Sequence, residues 1–302
     1  MAPPVPQGQR PLLAAAWMGG SVLSFTAMAI AGRSVSGVHD TFEILLWRSI
    51  VGLLLVLLVA SATGQRGAIR RDRLPQHILR NIVHFTGQNL WFWSLTMIPL
   101  AQVFALEFTS PIWVILLSPL VLGERLTRPR LIAAGMGFVG VLLVARPDFA
   151  HLNAGVAAAA GSAICFAATA LMTKRLTRGE SIVSILFWLT LMQFALGLSF
   201  GSLDGHVTLP TAQTLPWLAL IGICGVAAHL CLTTALSLAP ASFVLPIDFI
   251  RLPVIVIVGM ALYDEPVDVL VLAGAAVIFC GNWINIRAET RISATTLARP
   301  EL

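Results

Sequence analysis

Residues 98–113 read Ile98-Pro99-Leu100-Ala101-Gln102-Val103-Phe104-Ala105-Leu106-Glu107-Phe108-Thr109-Ser110-Pro111-Ile112-Trp113, and the apolar text runs on to Gly123-Glu124-Arg125. The stretch is hydrophobic enough for a bilayer, yet it carries an acid, hydroxyl and amide groups and two prolines that a plain anchor does not need. Moving 141 residues along the chain repeats its punctuation: Pro99 maps to Pro240, Val103 to Val244, Glu107 to Asp248, Phe108 to Phe249 and Glu124 to Glu265.

The surrounding composition agrees with a membrane setting. Of the 302 residues, 57% are hydrophobic and 11% charged, against about 25% charged in soluble domains. Apolar runs of about 20 residues, enough to cross a hydrocarbon core of about 30 Å as helix, recur along the chain and leave no room for a soluble domain. The first run, Leu12 to Ala31, is longer than the roughly 7–15 residues of a signal-peptide core and is read as a retained span. Cys165, Cys224, Cys231 and Cys280 lie inside apolar runs without a CxxC pair, so neither disulfides nor metal are expected, and the four read as small core residues.

Ten spans are predicted, at 12–31, 42–60, 77–97, 100–122, 129–145, 154–172, 182–203, 213–236, 241–262 and 268–286. The segment after Arg287 is polar and predicted to be disordered. With the amino terminus in the cytoplasm, fourteen basic residues, from Arg10 to Arg299, face inward and two, Arg33 and Arg146, face outward. That asymmetry supports an even number of spans with both termini cytoplasmic. The net charge of +5 therefore follows from topology, and nucleic acid is not an expected partner.

At the single offset of 141, Gly20-Ser21 matches Gly161-Ser162, Phe25 matches Phe166, Trp47 matches Trp188, Phe138 matches Phe279 and Gly140 matches Gly281. The first five spans (12–146) and the last five (153–287) are thus two copies, with 288–302 as a tail. Five is odd, so the second copy enters the membrane upside down. The predicted fold is an all-α membrane protein with ten transmembrane helices as two inverted five-helix repeats, an architecture that exposes a central site to one side and then the other.

Pro111, the run Leu122-Gly123-Glu124-Arg125-Leu126-Thr127, the glycine-rich Gly135-Met136-Gly137-Phe138-Val139-Gly140, and their echoes Pro253, Glu265 and Gly281 resemble the drug/metabolite transporter superfamily, EamA-type branch. The resemblance covers residues 12–286 and implies ten spans in two repeats and a transport function. The second copy departs from it with Asp264 in place of Gly123. Within the branch, the tryptophan-rich third span is similar to that of exporters of aromatic amino acids.

The third span places His77, Arg80 with Asn81, His84, Gln88 and Trp91 on one helical face, which in lipid must turn toward protein or water. His77 and Arg80 are expected to snorkel at the interface, whereas His84 and Gln88 are deeper candidates for lining a cavity. Trp91 continues the stripe as a substrate contact, and Trp93 reads as a belt residue. Trp17, Ser21 and Phe25 of the first span, with Phe166 of the sixth, complete the candidate substrate-binding set; the small residues there suit close packing as well as cavity lining. Glu107 and Asp248 are costly in a membrane and need a role. They are candidates for proton or charge relay, with Arg251 three residues from Asp248 as a partner that equally serves structure, and Arg48 as the cation available to Glu107. Pro99, Pro111, Pro119, Pro240, Pro246 and Pro253 either start helices or break them. Glu124 and Glu265 read as helix-end anchors.

These features predict a multi-pass inner-membrane secondary transporter that exports amino acids, aromatic or hydrophobic ones preferred; drug-like cations or another small metabolite form the alternative. No GxxxxGK[ST] loop, GxSxG elbow or HExxH pair occurs, so ATP-driven transport by this chain alone and an intramembrane enzyme are disfavoured, and no cofactor or metal is expected. The small-residue stripe with Ala133 and Gly137 suits a homodimer seam as well as packing within the chain.

Overall fold

A computed structural model describes residues 10–35, 37–95, 97–98, 103, 106–145, 153–201, 207–263 and 269–297, and all the regular structure among them is helical. We number the helices α1 (Pro11–Val35), α2 (Thr41–Ala62), α3 (Leu74–Leu95), α4 (Ser110–Leu122), α5 (Arg128–Ala145), α6 (Ala154–Leu176), α7 (Ile182–Gly201), α8 (Leu215–Leu238), α9 (Arg251–Tyr263) and α10 (Val269–Leu297). Pro99, Arg146 and Glu265 lie outside the described residues. Six of these helices, α1, α2, α6, α7, α8 and α10, are long and apolar enough to cross a membrane. Large apolar side chains such as Leu54, Leu58 and Leu120 point out of the bundle, the surface expected where hydrocarbon replaces water.

The helix boundaries reproduce the repeat. Adding 141 to the starts Thr41, Leu74, Ser110 and Arg128 gives the starts of α7, α8, α9 and α10, and adding it to the ends Val35 and Leu122 gives the ends of α6 and α9. Local chemistry explains several of these points. Leu74-Pro75 and Leu215-Pro216 both open a helix with proline in its first turn, where the missing donor costs nothing. Asp40 and Glu43 close a capping box on α2, and Ser181 accepts from the amide of Ser184 at the matching start of α7. Trp47 donates to the carbonyl of Thr208 at 3.2 Å and Trp188 to that of Arg70 at 2.7 Å, so each matched tryptophan holds the loop before the third helix of the opposite half.

The principal helix pairings recur when each helix of one half is exchanged for its counterpart five places on. The α1–α8 contact answers α6–α3, α4–α6 answers α9–α1, and α2–α7 and α5–α10 map onto themselves. At the α5–α10 crossing, a methyl group on Gly140 would lie 2.7 Å from the carbonyl oxygen of Gly274, and one on its counterpart Gly281 would lie 3.2 Å from that of Ala133. Only a hydrogen fits where the backbones approach so closely.

Three expectations change. Neither fourth span is one continuous helix. Leu106-Glu107 is helical, Phe108-Thr109 is a turn, and α4 begins only at Ser110; in the second half Ala241–Val244 forms one helical turn, Leu245–Ile250 a 3-10 turn, and α9 begins at Arg251. Pro246 accounts for the second break by removing an amide donor. Residues 288–297, expected to be disordered, are helical: α10 continues to Leu297, and Glu289 within it is buried against Arg130 at 2.7 Å. Finally, three cysteines are half-buried and Cys280 is exposed, so the cysteines are not uniformly core residues.

Candidate functional site

The break before α4 and the break before α9 bring Glu107 and Asp248 onto one guanidinium. The Arg251 Nη2 group donates to Glu107 Oε1 at 2.7 Å and to Asp248 Oδ2 at 3.0 Å. The other oxygen of Glu107, Oε2, accepts from the Trp91 indole at 2.7 Å. Two aromatic rings cover the cation, Phe25 with its centroid 5.6 Å away and Phe108 at 5.0 Å, an arrangement that stabilises a desolvated guanidinium. The predicted Asp248–Arg251 pair is therefore formed, but Glu107 takes its cation from Arg251 and not from Arg48.

Rings continue away from this triad. Phe25 meets His229 edge-on at 5.5 Å, His229 meets His84 at 5.3 Å, and His84 lies 6.0 Å from Phe166. Their order alternates between the halves: Phe25 on α1, His229 on α8, His84 on α3, Phe166 on α6. Gly87 makes the last approach possible, since a methyl group there would come within 3.1 Å of the Phe166 ring. Along this row, buried polar atoms lack protein partners: both ring nitrogens of His84, Nδ1 of His229, Oε1 of Gln88, Oγ of Ser21 and Oδ1 of Asp248. In hydrocarbon each such atom costs several kcal/mol (~2–7) until something hydrogen-bonds to it.

The lower part of the α3 stripe does something else. Arg80 is fully buried and does not snorkel: it donates to Thr173 of α6 at 3.0 Å and to Asn81 at 3.1 Å. His77 is buried beside Trp188. Here the polar side chains tie α3 to α6 and α7, and the stripe turns into a candidate site only from His84 upward. Trp93, as expected, is exposed.

Arg48 and Trp17 lie apart from the triad. Arg48 lines a cavity of about 20 Å³ with Ser49, Thr190, Gln193 and His229, room for about one water. Its Nε sits 2.7 Å from where a methyl group on Gly225 would be. Gly225 is the repeat counterpart of His84, so the second half gives up a side chain where Arg48 enters. Among the described residues Arg48 forms no ion pair. Trp17 packs two turns from Phe25, in the apolar cluster of Met18, Val114, Leu171 and Phe243, on the flank where α1 begins.

That same end carries a polar closure. Glu124 accepts from the amides of Ala241 and Ser242 at 2.8 and 3.1 Å and from the Ser242 hydroxyl at 2.6 Å. Arg130 donates to Ser242 Oγ and Glu289, and Lys174 to the carbonyls of Leu236 and Ala239. Glu124 is thus a helix-end anchor, holding the start of the second half's broken span.

His229 and Phe108 were not in the predicted set. His229 is the repeat counterpart of the candidate Gln88, so the 141-residue offset applied to the candidate residues themselves would have found it; Phe108 adjoins the candidate Glu107 but carries no such signal.

Two inverted-looking halves joined at paired helix breaks define a membrane carrier architecture, and sequence comparison identifies which one. Residues 12–146 and 153–287 each match the EamA-like transporter family, and the chain belongs to that family. Similar proteins include a riboflavin transporter of Brucella anthropi, 32% identical over 82% of this chain and 89% of that protein. A riboflavin transporter of Vibrio cholerae is 28% identical over 94% and 96%, and an S-adenosylmethionine uptake transporter of Rickettsia conorii is 24% identical over 91% and 92%. A crystal structure of a protein 17% identical in sequence superposes with a TM-score of 0.80 over 92% of this chain and 98% of that one, which establishes the shared fold.

Proposed function

We propose that this protein is a secondary transporter of the inner membrane that takes up a planar heteroaromatic metabolite of the riboflavin class by alternating access, using ten spans in two inverted repeats with both termini cytoplasmic. The observation that carries this reading is the ring-lined row Phe25, His229, His84 and Phe166, with unpartnered polar atoms of His84, Gln88, His229 and Ser21 along it. A flat ring system with a hydrogen-bonding edge supplies what that row lacks: apolar faces for the aromatic rings, and donors and acceptors for the stranded polar atoms. Arg48, next to His229 and without an acid partner among the described residues, suits an electronegative carbonyl edge. The riboflavin and S-adenosylmethionine transporters among the relatives, both carrying heteroaromatic solutes by name, support the same class.

Export of aromatic amino acids, the expectation from the tryptophan-rich third span, draws on the same rings. It also needs a free carboxylate for the solute's ammonium group, whereas Glu107 and Asp248 both already pair with Arg251. The test is a panel of proteoliposome uptake assays with labelled riboflavin, S-adenosylmethionine, tryptophan, phenylalanine and a quaternary cation. Saturable riboflavin flux with no tryptophan or phenylalanine flux is the expected result; flux of the amino acids alone overturns the proposal in favour of amino-acid export.

A further inference from the structure

The repeat supplies the acid twice and the cation once. Glu107 and Asp248 are counterparts at an offset of 141 residues, but the counterpart of Arg251 is Ser110. Both carboxylates nevertheless converge on the same Nη2 atom of Arg251, at 2.7 and 3.0 Å. Among the described residues, the groups facing them from the neighbouring elements add no second positive charge. α1 contributes Phe25, α3 contributes the Trp91 N–H, α4 is preceded by Phe108, and α5 and α10 present Val141 and Ile278. Further along the ring row stand His229 and His84, and Arg48 beyond His229. With both acids ionised the triad carries one negative charge without a balancing partner, and the second oxygen of Asp248 is buried without a hydrogen bond.

We propose that the Glu107–Arg251–Asp248 triad is a proton-binding site that couples solute movement to the proton gradient, one proton per solute. In the empty carrier, water in the ring-lined space solvates the surplus charge. When a neutral heteroaromatic solute enters and expels that water, the charge is stranded in a medium where isolated charges are strongly disfavoured. A proton taken from water on the loading side onto a carboxylate oxygen restores neutrality, the carrier reorients, and the proton returns to water on the opposite side with the solute. The Trp91–Glu107 hydrogen bond joins the α3 solute face directly to the acid pair. Placement at the matched helix breaks lets each half present its acid to one side of the membrane in turn.

This coupling rests on the uptake function proposed above, and the experiment separates the two. Wild-type protein in lightly buffered proteoliposomes is given outside riboflavin, and riboflavin entry and internal pH are recorded together. The expected result is about one proton per riboflavin and, at zero membrane potential, accumulation of about tenfold per unit of outside-acid pH gradient, since one pH unit is a tenfold activity ratio. In Asp248→Asn and in Glu107→Gln, a single remaining acid balances Arg251, so protons moved per riboflavin fall to near zero. Riboflavin entry in the wild type without proton entry, or with dependence on sodium instead, overturns the coupling and leaves the uptake function standing. No riboflavin entry at any pH removes the function and the coupling with it. Because the wild-type ratio decides the matter, loss of a variant to misfolding does not.

Discussion

Replacing Arg251 by Met strands two carboxylates that the fold has placed on one cation. The guanidinium holds Glu107 at 2.7 Å and Asp248 at 3.0 Å and stacks beneath Phe25 and Phe108. Breaking a buried ion pair by removing one partner costs about 3–5 kcal/mol, and each lost cation–π contact adds about 0.5–2 kcal/mol. Glu107→Gln is milder: Asp248 still balances Arg251, and the loss is one charge-assisted hydrogen bond, about 1.5–3 kcal/mol. Once residue 107 is Gln, removal of Arg251 strands only one acid, so the two substitutions are coupled by about 2 kcal/mol. The assay is a double-mutant cycle on unfolding in mixed micelles with SDS, followed by tryptophan fluorescence. Lowering the pH should shrink the Arg251→Met penalty, because protonation removes the stranded charges. Additivity within about 0.5 kcal/mol, or an Arg251→Met variant as stable as the wild type, would refute the shared-cation geometry.

Other substitutions test other parts of the molecule. Gly140→Val should destabilise by about 1–3 kcal/mol through overpacking against the Gly274 carbonyl and Ile278, read as a lower SDS midpoint, while a valine at Gly135, where nothing lies within reach, should not. Arg130→Met should cost about 3–5 kcal/mol by leaving Glu289 buried without its cation, and Glu289→Gln in the same chain should recover part of it. Phe25→Leu and Phe166→Leu should each raise the riboflavin KM about 2–10-fold, the equivalent of about 0.5–1.5 kcal/mol of aromatic contact, whereas Trp93→Leu, on the exposed face, should leave it unchanged.

The repeat was legible because it is written in residues that composition alone does not supply: Trp47 and Trp188, Phe25 and Phe166, Glu107 and Asp248. The same offset then returns in the helix boundaries. The helix breaks were not visible to hydropathy, since Phe108, Phe249 and Ile250 are as apolar in a turn as in a helix; only the acid and Pro246 hinted at them. Arg80 looked like an interfacial side chain because its partner, Thr173, is distant in sequence and brought close by the α3–α6 packing. The misassigned cation for Glu107 has the same origin: Arg251 reaches it only when the second half folds against the first. Residues 288–297 mix polar and apolar side chains without a membrane-span pattern, and the contact that engages them, Glu289 with Arg130 across the α5–α10 crossing, joins residues far apart in sequence. The ring row was half seen, with Phe25, His84, Gln88 and Phe166 in the expected set and His229 missing although Gln88 pointed to it.

The most direct test of the transport assignment is initial-rate uptake of labelled riboflavin into proteoliposomes containing the purified protein, with tryptophan measured in parallel. Saturable riboflavin entry that unlabelled riboflavin competes away and tryptophan does not is the predicted result. Riboflavin entry no faster than in protein-free liposomes, alongside saturable tryptophan flux, would contradict it.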